Sequence, residues 1–289
     1  MRIPTLALAA VLACDPGVRS PRAPAGAVRA PVLVRVATWN VHDLFDAEDR
    51  IVPPGDEDLV PSAAEVEAKI ARVAAVLARV DADVWLLQEV ENRAVLERLA
   101  RASGYGAARL VDGNDPRGID VGLLSRLPVS GYASHASEVG PDGTLLWPRD
   151  CVEAWVEAGV PARRLVLVGS HLSSPISDDG TRRRRQAARM REIADADAAE
   201  DPGALVLAGG DLNDAPASDA LAPLLRDGAW SDPVAPGAIT WRGDAGAGRL
   251  DYLLLPSGSG ALVAASVDAG ADVGAASDHR PVVLDLRLR

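Results

Sequence analysis

Apolar positions recur along this chain with two periods, and the switches between them mark out helices and strands. Over residues 62–80, Val66, Ile70, Val73, Leu77 and Val80 fall on one face at about 100° per residue, which predicts a helix. Ser62 followed by Glu65 is a capping-box pair at its start. Asn92 is placed to cap a second helix running to about residue 102, and a third is predicted over 181–198. Short apolar or alternating runs predict strands at 32–39, 83–87, 118–124, 151–156, 165–169, 204–207, 250–255, 262–267 and 282–288. Helices alternate with strands in both halves, without an internal repeat. The pattern reads as α/β, with two sheets and helices outside them. Residues 46–61 are acidic and proline-rich and read as a surface loop, while 112–117 and 135–148 are loops without a ligand signature.

Composition narrows this picture without changing it. Hydrophobic residues are 48% and charged residues 25% of 289, an ordinary globular balance. One Phe, three Tyr and six Trp leave the core to Val, Leu, Ala and Ile. A net charge of -11 argues against non-specific affinity for nucleic acid. It does not exclude chemistry on a phosphate, because a cation and a local arginine cluster can offset the charge at one site.

The N-terminus has the order of an export signal over residues 1–14. Arg2 precedes an apolar run from Leu6 to Ala13, and Cys14 follows. Val11-Leu12-Ala13-Cys14 resembles a bacterial lipobox, which implies a lipid anchor on Cys14 and a membrane partner, in the periplasm or at the cell surface. An ordinary secretory signal or a misplaced start codon are the competing readings. Asp15 at the next position favours retention at the inner membrane. Residues 15–31 hold four prolines with Ala, Gly and Arg and read as a flexible tether before a domain over 32–289. With Cys14 lipidated, Cys151 has no disulfide partner and reads as a small core residue.

Candidate chemistry concentrates at Leu207-Ala208-Gly209-Gly210-Asp211-Leu212-Asn213-Asp214. The small and apolar residues read as a buried strand, and residues i and i+2 of an extended chain point to one side. Asp211 and Asn213 are thereby expected to reach one pocket at a strand's carboxyl end. Four further segments accompany them: Thr38-Trp39-Asn40, Leu87-Gln88-Glu89, Arg249-Leu250-Asp251-Tyr252 and Ser277-Asp278-His279-Arg280. Together, and in this order from about Val32 to Leu288, they resemble the endonuclease/exonuclease/phosphatase superfamily of metal-dependent phosphoesterases.

That resemblance implies a four-layer α-β-β-α sandwich with its site at one end between two mixed sheets. It implies Mg²⁺ or Mn²⁺, a hard cation with oxygen ligands, held by Glu89, with Asn40 beside it and Asp278 contributing from across the cleft. Asp211 would orient or deprotonate the attacking water, and Asn213 would hold the phosphate. His279 is the expected acid-base or phosphate-stabilising group. A hydrogen bond from one ring nitrogen to Asp251 would fix the tautomer and raise the imidazole pKa. His171, in Gly169-Ser170-His171, is similar in position to the second histidine of the pancreatic-DNase and sphingomyelinase branches, an acid on the leaving-group side. Asp120 resembles the segment that supplies that histidine's partner.

The run Arg182-Arg183-Arg184-Arg185 opens the third helix, with Arg182, Arg185 and Arg189 within a stripe of about 60°. The stripe is either a solvated face or a phosphate clamp. Trp241, after Thr240, resembles a cleft-rim segment, with packing as the alternative. His42, which departs from the Asn-Val-Glu-Asn pattern common in bacterial relatives, and His135 are unassigned.

The leading expectation is an exported Mg²⁺- or Mn²⁺-dependent phosphodiesterase, monomeric and without an obligate protein partner, with nucleic acid as substrate. A sphingomyelinase-like phospholipid phosphodiesterase or a phosphomonoesterase is the alternative, and a non-catalytic surface binding protein stands third.

Overall fold

A computed structural model describes residues 31–48, 60–244 and 246–288. The expected signal over 1–14, with Cys14, and the tether up to residue 30 lie outside the described residues, as does most of the 46–61 loop. In the first half the elements are β1 (Val32–Leu44), α1 (Ala63–Val80), β2 (Val84–Val90), α2 (Arg93–Ser103), β3 (Ala107–Arg109), β4 (Asp120–Ser125), β5 (Val129–Ser134) and β6 (Cys151–Ala158). Then come β7 (Arg163–His171), α3 (Thr181–Glu200), β8 (Leu205–Asp211), α4 (Ala222–Leu225), β9 (Trp230–Ser231), β10 (Trp241–Gly243) and β11 (Gly246–Gly248). The last are β12 (Asp251–Pro256), β13 (Leu262–Val267), α5 (Val273–Ala276) and β14 (Val282–Leu288).

These form two six-stranded mixed sheets, β13-β14-β1-β2-β4-β3 and β5-β6-β7-β8-β12-β9, plus the ribbon β10-β11. Each sheet has one parallel pair, β1 with β2 and β7 with β8. A parallel pair needs a crossover, and α1 and α3 provide the two, each covering the outer face of its own sheet.

Three apolar clusters separate four layers. One lies between α1, α2 and the first sheet and includes Ile70, Leu77, Trp39 and Trp85. The second fills the space between the sheets with Val36, Leu86, Leu123, Leu165, Leu167 and Leu253. The third joins the second sheet to α3 through Val166, Val206, Met190, Ile193 and Tyr252. Strand alternation does the sorting: Trp85 and Leu87 of β2 face the helices while Val84 and Leu86 face the other sheet. The four-layer α-β-β-α sandwich is therefore what this sequence forms. Cys151 is a free, buried core residue.

Local signals hold the helices where the pattern predicts them. The Ser62–Glu65 capping box is present, α1 ends on Asp81 in the left-handed region, and the Asn92 side chain caps α2 by accepting from Val95 N–H. The first strand runs further than predicted, to Leu44, with a register break after Asn40.

Two glycine positions fix how closely strands and sheets approach. A Cβ on Gly169 would lie 2.8 Å from Leu86 of the opposite sheet, so the leucine seats on bare backbone. Gly210 has φ +126, and a Cβ there would lie 2.0 Å from the Ser170 carbonyl oxygen. Only glycine tolerates that backbone. Gly210→Ala is expected to lower the unfolding free energy by at least about 2 kcal/mol in urea titration.

Residues 135–150 are fastened to α3. Glu138 accepts from Arg189 at 2.7 Å and from the Trp147 indole N–H at 3.0 Å, and lies 2.9 Å from His135 Nδ1. Burial opposes the Glu138 charge, but these partners outweigh it and hold the carboxyl down at about 2. Its contribution to stability is therefore complete above the ordinary value of 4.5 and is lost as pH falls toward 2. Glu138→Gln should flatten the acid limb of the stability–pH curve in that window, measured by urea unfolding.

Candidate active site

The strand directions bring the predicted motifs to one end of the sandwich. Asn40 pairs with Gln88 in the parallel β1–β2 register, which places Glu89 one residue on at the same end. In the other sheet His171 pairs with Asp211 across β7–β8, and Asp211 pairs with Asp251 at the start of antiparallel β12. The 277–280 segment leads into β14, which is antiparallel to β1, so it meets β1 where β1 delivers Asn40.

One amide joins the two sheets. Asn40 Nδ2 donates to Glu89 Oε1 and to Asp211 Oδ2, each at 3.0 Å. Its Oδ1 accepts from His42 N–H at 2.9 Å, so the oxygen is used in holding the loop. Ser277 Oγ donates to the Asn40 carbonyl at 2.7 Å and accepts from His279 N–H at 2.9 Å, which ties the two motifs together. Gln88 is a strut between strands: its Nε2 donates to Thr38 Oγ1 at 3.0 Å. His42, Asp43, Glu89 and Asn213 all have positive φ, from 52° to 62°. Backbone strain of this kind concentrates where side chains must be aimed.

The expected His279–Asp251 pair is present. Asp251 Oδ2 lies 2.9 Å from His279 Nδ1, and His279 Nε2 faces Asp211 Oδ2 at 3.8 Å. Burial opposes a charge on the imidazole, but Asp251 and Asp211 overcome it and push His279 up to about 10. Burial also pushes the Asp211 carboxyl up, reinforced by Asp251 and opposed by His279.

Asn213 is placed differently from the strand argument. Asp211 is the last residue of β8, and the chain turns so that Asn213 N–H donates back to Asp211 Oδ1 at 3.0 Å. Asn213 Nδ2 donates to the Leu172 carbonyl at 2.9 Å, which leaves one amide hydrogen for a ligand.

His171 and Asp120 are not brought together. Arg149 lies 2.9 Å from His171 Nε2. A guanidinium only donates, so Nε2 is the acceptor and the ring proton sits on Nδ1, which is buried without a hydrogen-bond partner among the described residues. Burial and Arg149 hold this imidazole well below its ordinary value, neutral. Asp120 instead accepts from Gly113 N–H at 2.9 Å, and burial pushes its carboxyl up to about 8. Burial thus disfavours the negative charge that a pairing with His171 would use.

Asp278 is not joined to Glu89 by a hydrogen bond. It accepts from the Trp241 indole at 2.9 Å and lies 3.2 Å from His42 Nδ1. Trp241 itself is bridged to His279 by antiparallel pairing. The arginine stripe divides. Arg182 lines a cavity of about 470 Å³ with Arg117, Arg149 and His171. Arg185 pairs with Asp142 and Arg189 with Glu138, away from the cleft, because the 135–150 segment lies across that part of α3. Arg183 is the buried member, donating to Asp214 at 2.9 Å and the Ser173 carbonyl at 2.9 Å.

Three residues at the site were missed by sequence reasoning. Asp43 donates its backbone N–H to Glu89 Oε2 at 3.0 Å, and its carboxylate pairs with Arg117. Arg149 is held by Asp115 at 2.7 Å. Asp43 lies three residues after Asn40, which was the available signal; Arg117 and Arg149 come from loops that only tertiary structure brings in.

The donor set fits a hard divalent cation. The Glu89 carboxylate is anchored by the Asn40 amide and the Asp43 N–H. Burial and the charge of Glu89 push the Asp43 carboxyl up to about 6. Two carboxylates on neighbouring segments, tied through the Asp43 N–H, are the oxygen donors such a cation takes. Asp211, Asp251 and His279 also offer one ligand atom each within 4.8 Å. There, however, Asp251 already occupies His279 Nδ1, and the group suits proton handling better.

The chain belongs to the Endonuclease/Exonuclease/phosphatase family, whose sequence model matches residues 37–279, and it is a phosphoric ester hydrolase. No curated protein sequence matches it significantly. Crystal structures of similar fold include the endonuclease/exonuclease/phosphatase of Beutenbergia cavernae, 24% identical over 89% of this chain and 72% of that one, TM-score 0.60. Truncated TDP2 of Caenorhabditis elegans is 19% identical over 88% and 97%, TM-score 0.60. ANGEL2, a 2',3'-cyclic phosphatase in complex with adenosine-2',3'-vanadate, is 13% identical over 89% and 96%, TM-score 0.62. At these identities the likeness is one of fold.

Asp251→Asn should bring the His279 pKa down from about 10 toward the ordinary 6.5, followed by NMR titration of the imidazole. Activity at neutral pH should fall by about 10²–10⁴-fold.

Proposed function

We propose that this protein is a Mg²⁺- or Mn²⁺-dependent phosphodiesterase acting on nucleic-acid phosphodiesters. The observation that carries the reading is the Asn40 amide, which joins Glu89 on one side of the cleft to Asp211, beside the charged His279, on the other. Glu89 and Asp43 would hold the cation, kept in place by Asn40. The cation would neutralise charge on a phosphoryl oxygen and promote attack by water.

The protein's own groups then have separable tasks. His279, charged and oriented by Asp251, presents Nε2–H to a phosphoryl oxygen and stabilises the negative charge that grows there. Asp211, between the two histidines, orients the attacking water and takes its proton. The free Asn213 amide hydrogen fixes the phosphate. Arg149 and Arg182 line the cavity on the His171 side, where their charge favours the departing alkoxide. Local positive charge of this kind supports a polyanionic substrate in a protein of net charge -11.

We further propose that the protein is exported and held at a membrane by a lipid on Cys14, and that it acts as a monomer. The support is the arrangement Arg2, apolar run, Cys14 in the sequence.

The test is hydrolysis of bis-p-nitrophenyl phosphate and plasmid DNA with Mg²⁺, Mn²⁺ or EDTA. Cleavage of both, abolished by EDTA and reduced about 10²–10⁴-fold in His279→Ala, is expected. Cleavage of the small diester and of choline phospholipid vesicles, with intact DNA, would replace the nucleic-acid reading with the lipid one.

A further inference from the structure

A cavity of about 660 Å³ opens beside the reacting centre, on the side away from His171, and no role described above uses it. Its walls carry Lys69, Arg242 and Arg280 together with His42 and Asp278. Most of the described arginines are matched to carboxylates, as Arg35 is to Asp285, Arg79 to Asp268 and Asp272, and Arg149 to Asp115. The Arg242 and Arg280 side chains have no carboxylate partner among the described residues.

Backbone pairing holds the two in place. Trp241 is bridged to His279, Arg242 N–H donates to the Asp278 carbonyl at 2.9 Å, and Arg280 N–H donates to the Thr240 carbonyl at 2.6 Å. Two guanidinium-bearing residues thus sit diagonally across the bridge that carries the catalytic histidine. Lys69 closes the other wall. Its ammonium donates to the carbonyls of His42 and Ala276, both at 2.6 Å, and keeps one N–H uncommitted. The one carboxylate on the wall, Asp278, is already engaged by Trp241 and His42.

We propose that this cavity is a subsite for a second phosphate of the substrate, adjoining the scissile one, and that it selects a strand over a single-phosphate ester. The inference rests on the nucleic-acid reading and deepens it. Guanidinium groups take phosphate oxygens in pairs, and a polynucleotide presents one phosphate for every nucleotide. A choline headgroup would instead place its own cation among three basic side chains.

The experiment compares the full chain with Arg242→Gln/Arg280→Gln on bis-p-nitrophenyl phosphate and on a short single-stranded oligothymidylate. Thymidine 3',5'-bisphosphate and thymidine 5'-monophosphate serve as competitors. The double variant should lose about tenfold to a hundredfold in kcat/KM on the oligonucleotide, chiefly through KM, and stay within about twofold on the small diester. Its salt dependence should weaken, with the log–log slope reduced by about 1.4. Tighter inhibition by the bisphosphate than by the monophosphate should vanish in the double variant and persist in Arg242→Lys/Arg280→Lys. Equal losses on both substrates, or an unchanged oligonucleotide rate in a variant of an active nuclease, overturn the subsite. A wild-type protein that cleaves the small diester but no oligonucleotide overturns the nucleic-acid reading instead. In that case bisphosphate competition decides the cavity alone, and no preference over the monophosphate overturns it.

Discussion

The Asn40 side-chain amide is the interaction on which the site depends. Its two N–H groups reach a carboxylate in each sheet, so one planar group sets the distance between Glu89 and Asp211. Everything else at the site is arranged to keep that amide still. The His42 N–H holds its oxygen, Ser277 holds its carbonyl, and both bonds come from segments that carry site residues of their own. The cost is four residues in left-handed backbone, each strained for a side chain other than glycine. Such strain persists because the sandwich beneath it is rigid, with Trp39 and Trp85 fully buried under the same strands.

Charge is distributed by the same logic. Two half-buried acids meet at the end of the first sheet, where burial and the charge of Glu89 raise the Asp43 carboxyl to about 6. His279 stays charged because two carboxylates outweigh burial, whereas His171, beside a guanidinium, stays neutral. Two histidines at the same end of the sandwich thus differ in charge only through what surrounds them.

Much of this was legible in the sequence because the relevant signals are local. The Ser62–Glu65 box, the Asn92 cap and the alternation along β2 each act within a few residues. The Glu89, Asp211, Asp251 and His279 motifs sit at strand ends, where topology alone brings them together. What escaped notice was non-local or short. Strand β5 reads Val129-Ser-Gly-Tyr-Ala-Ser134 and is half-buried at a sheet edge, so its pattern is weak. Strands β3, β9, β10 and β11 span two or three residues each, too few for a period. Arg149 is a loop residue until folding sets it against His171. Helical spacing gave Arg182 and Arg185 a shared face but could not show that Asp142 would claim one of them.

The seat of Leu86 on Gly169 has a consequence for turnover. Glu89 lies three residues beyond Leu86, and His171 two residues beyond Gly169, so this contact is the alignment key between the halves of the cleft. Two sheets packed through smooth aliphatic side chains can slide, and a bare patch of backbone under a leucine stops them. Apolar volume at this seam therefore acts as a mechanical setting of the catalytic spacing.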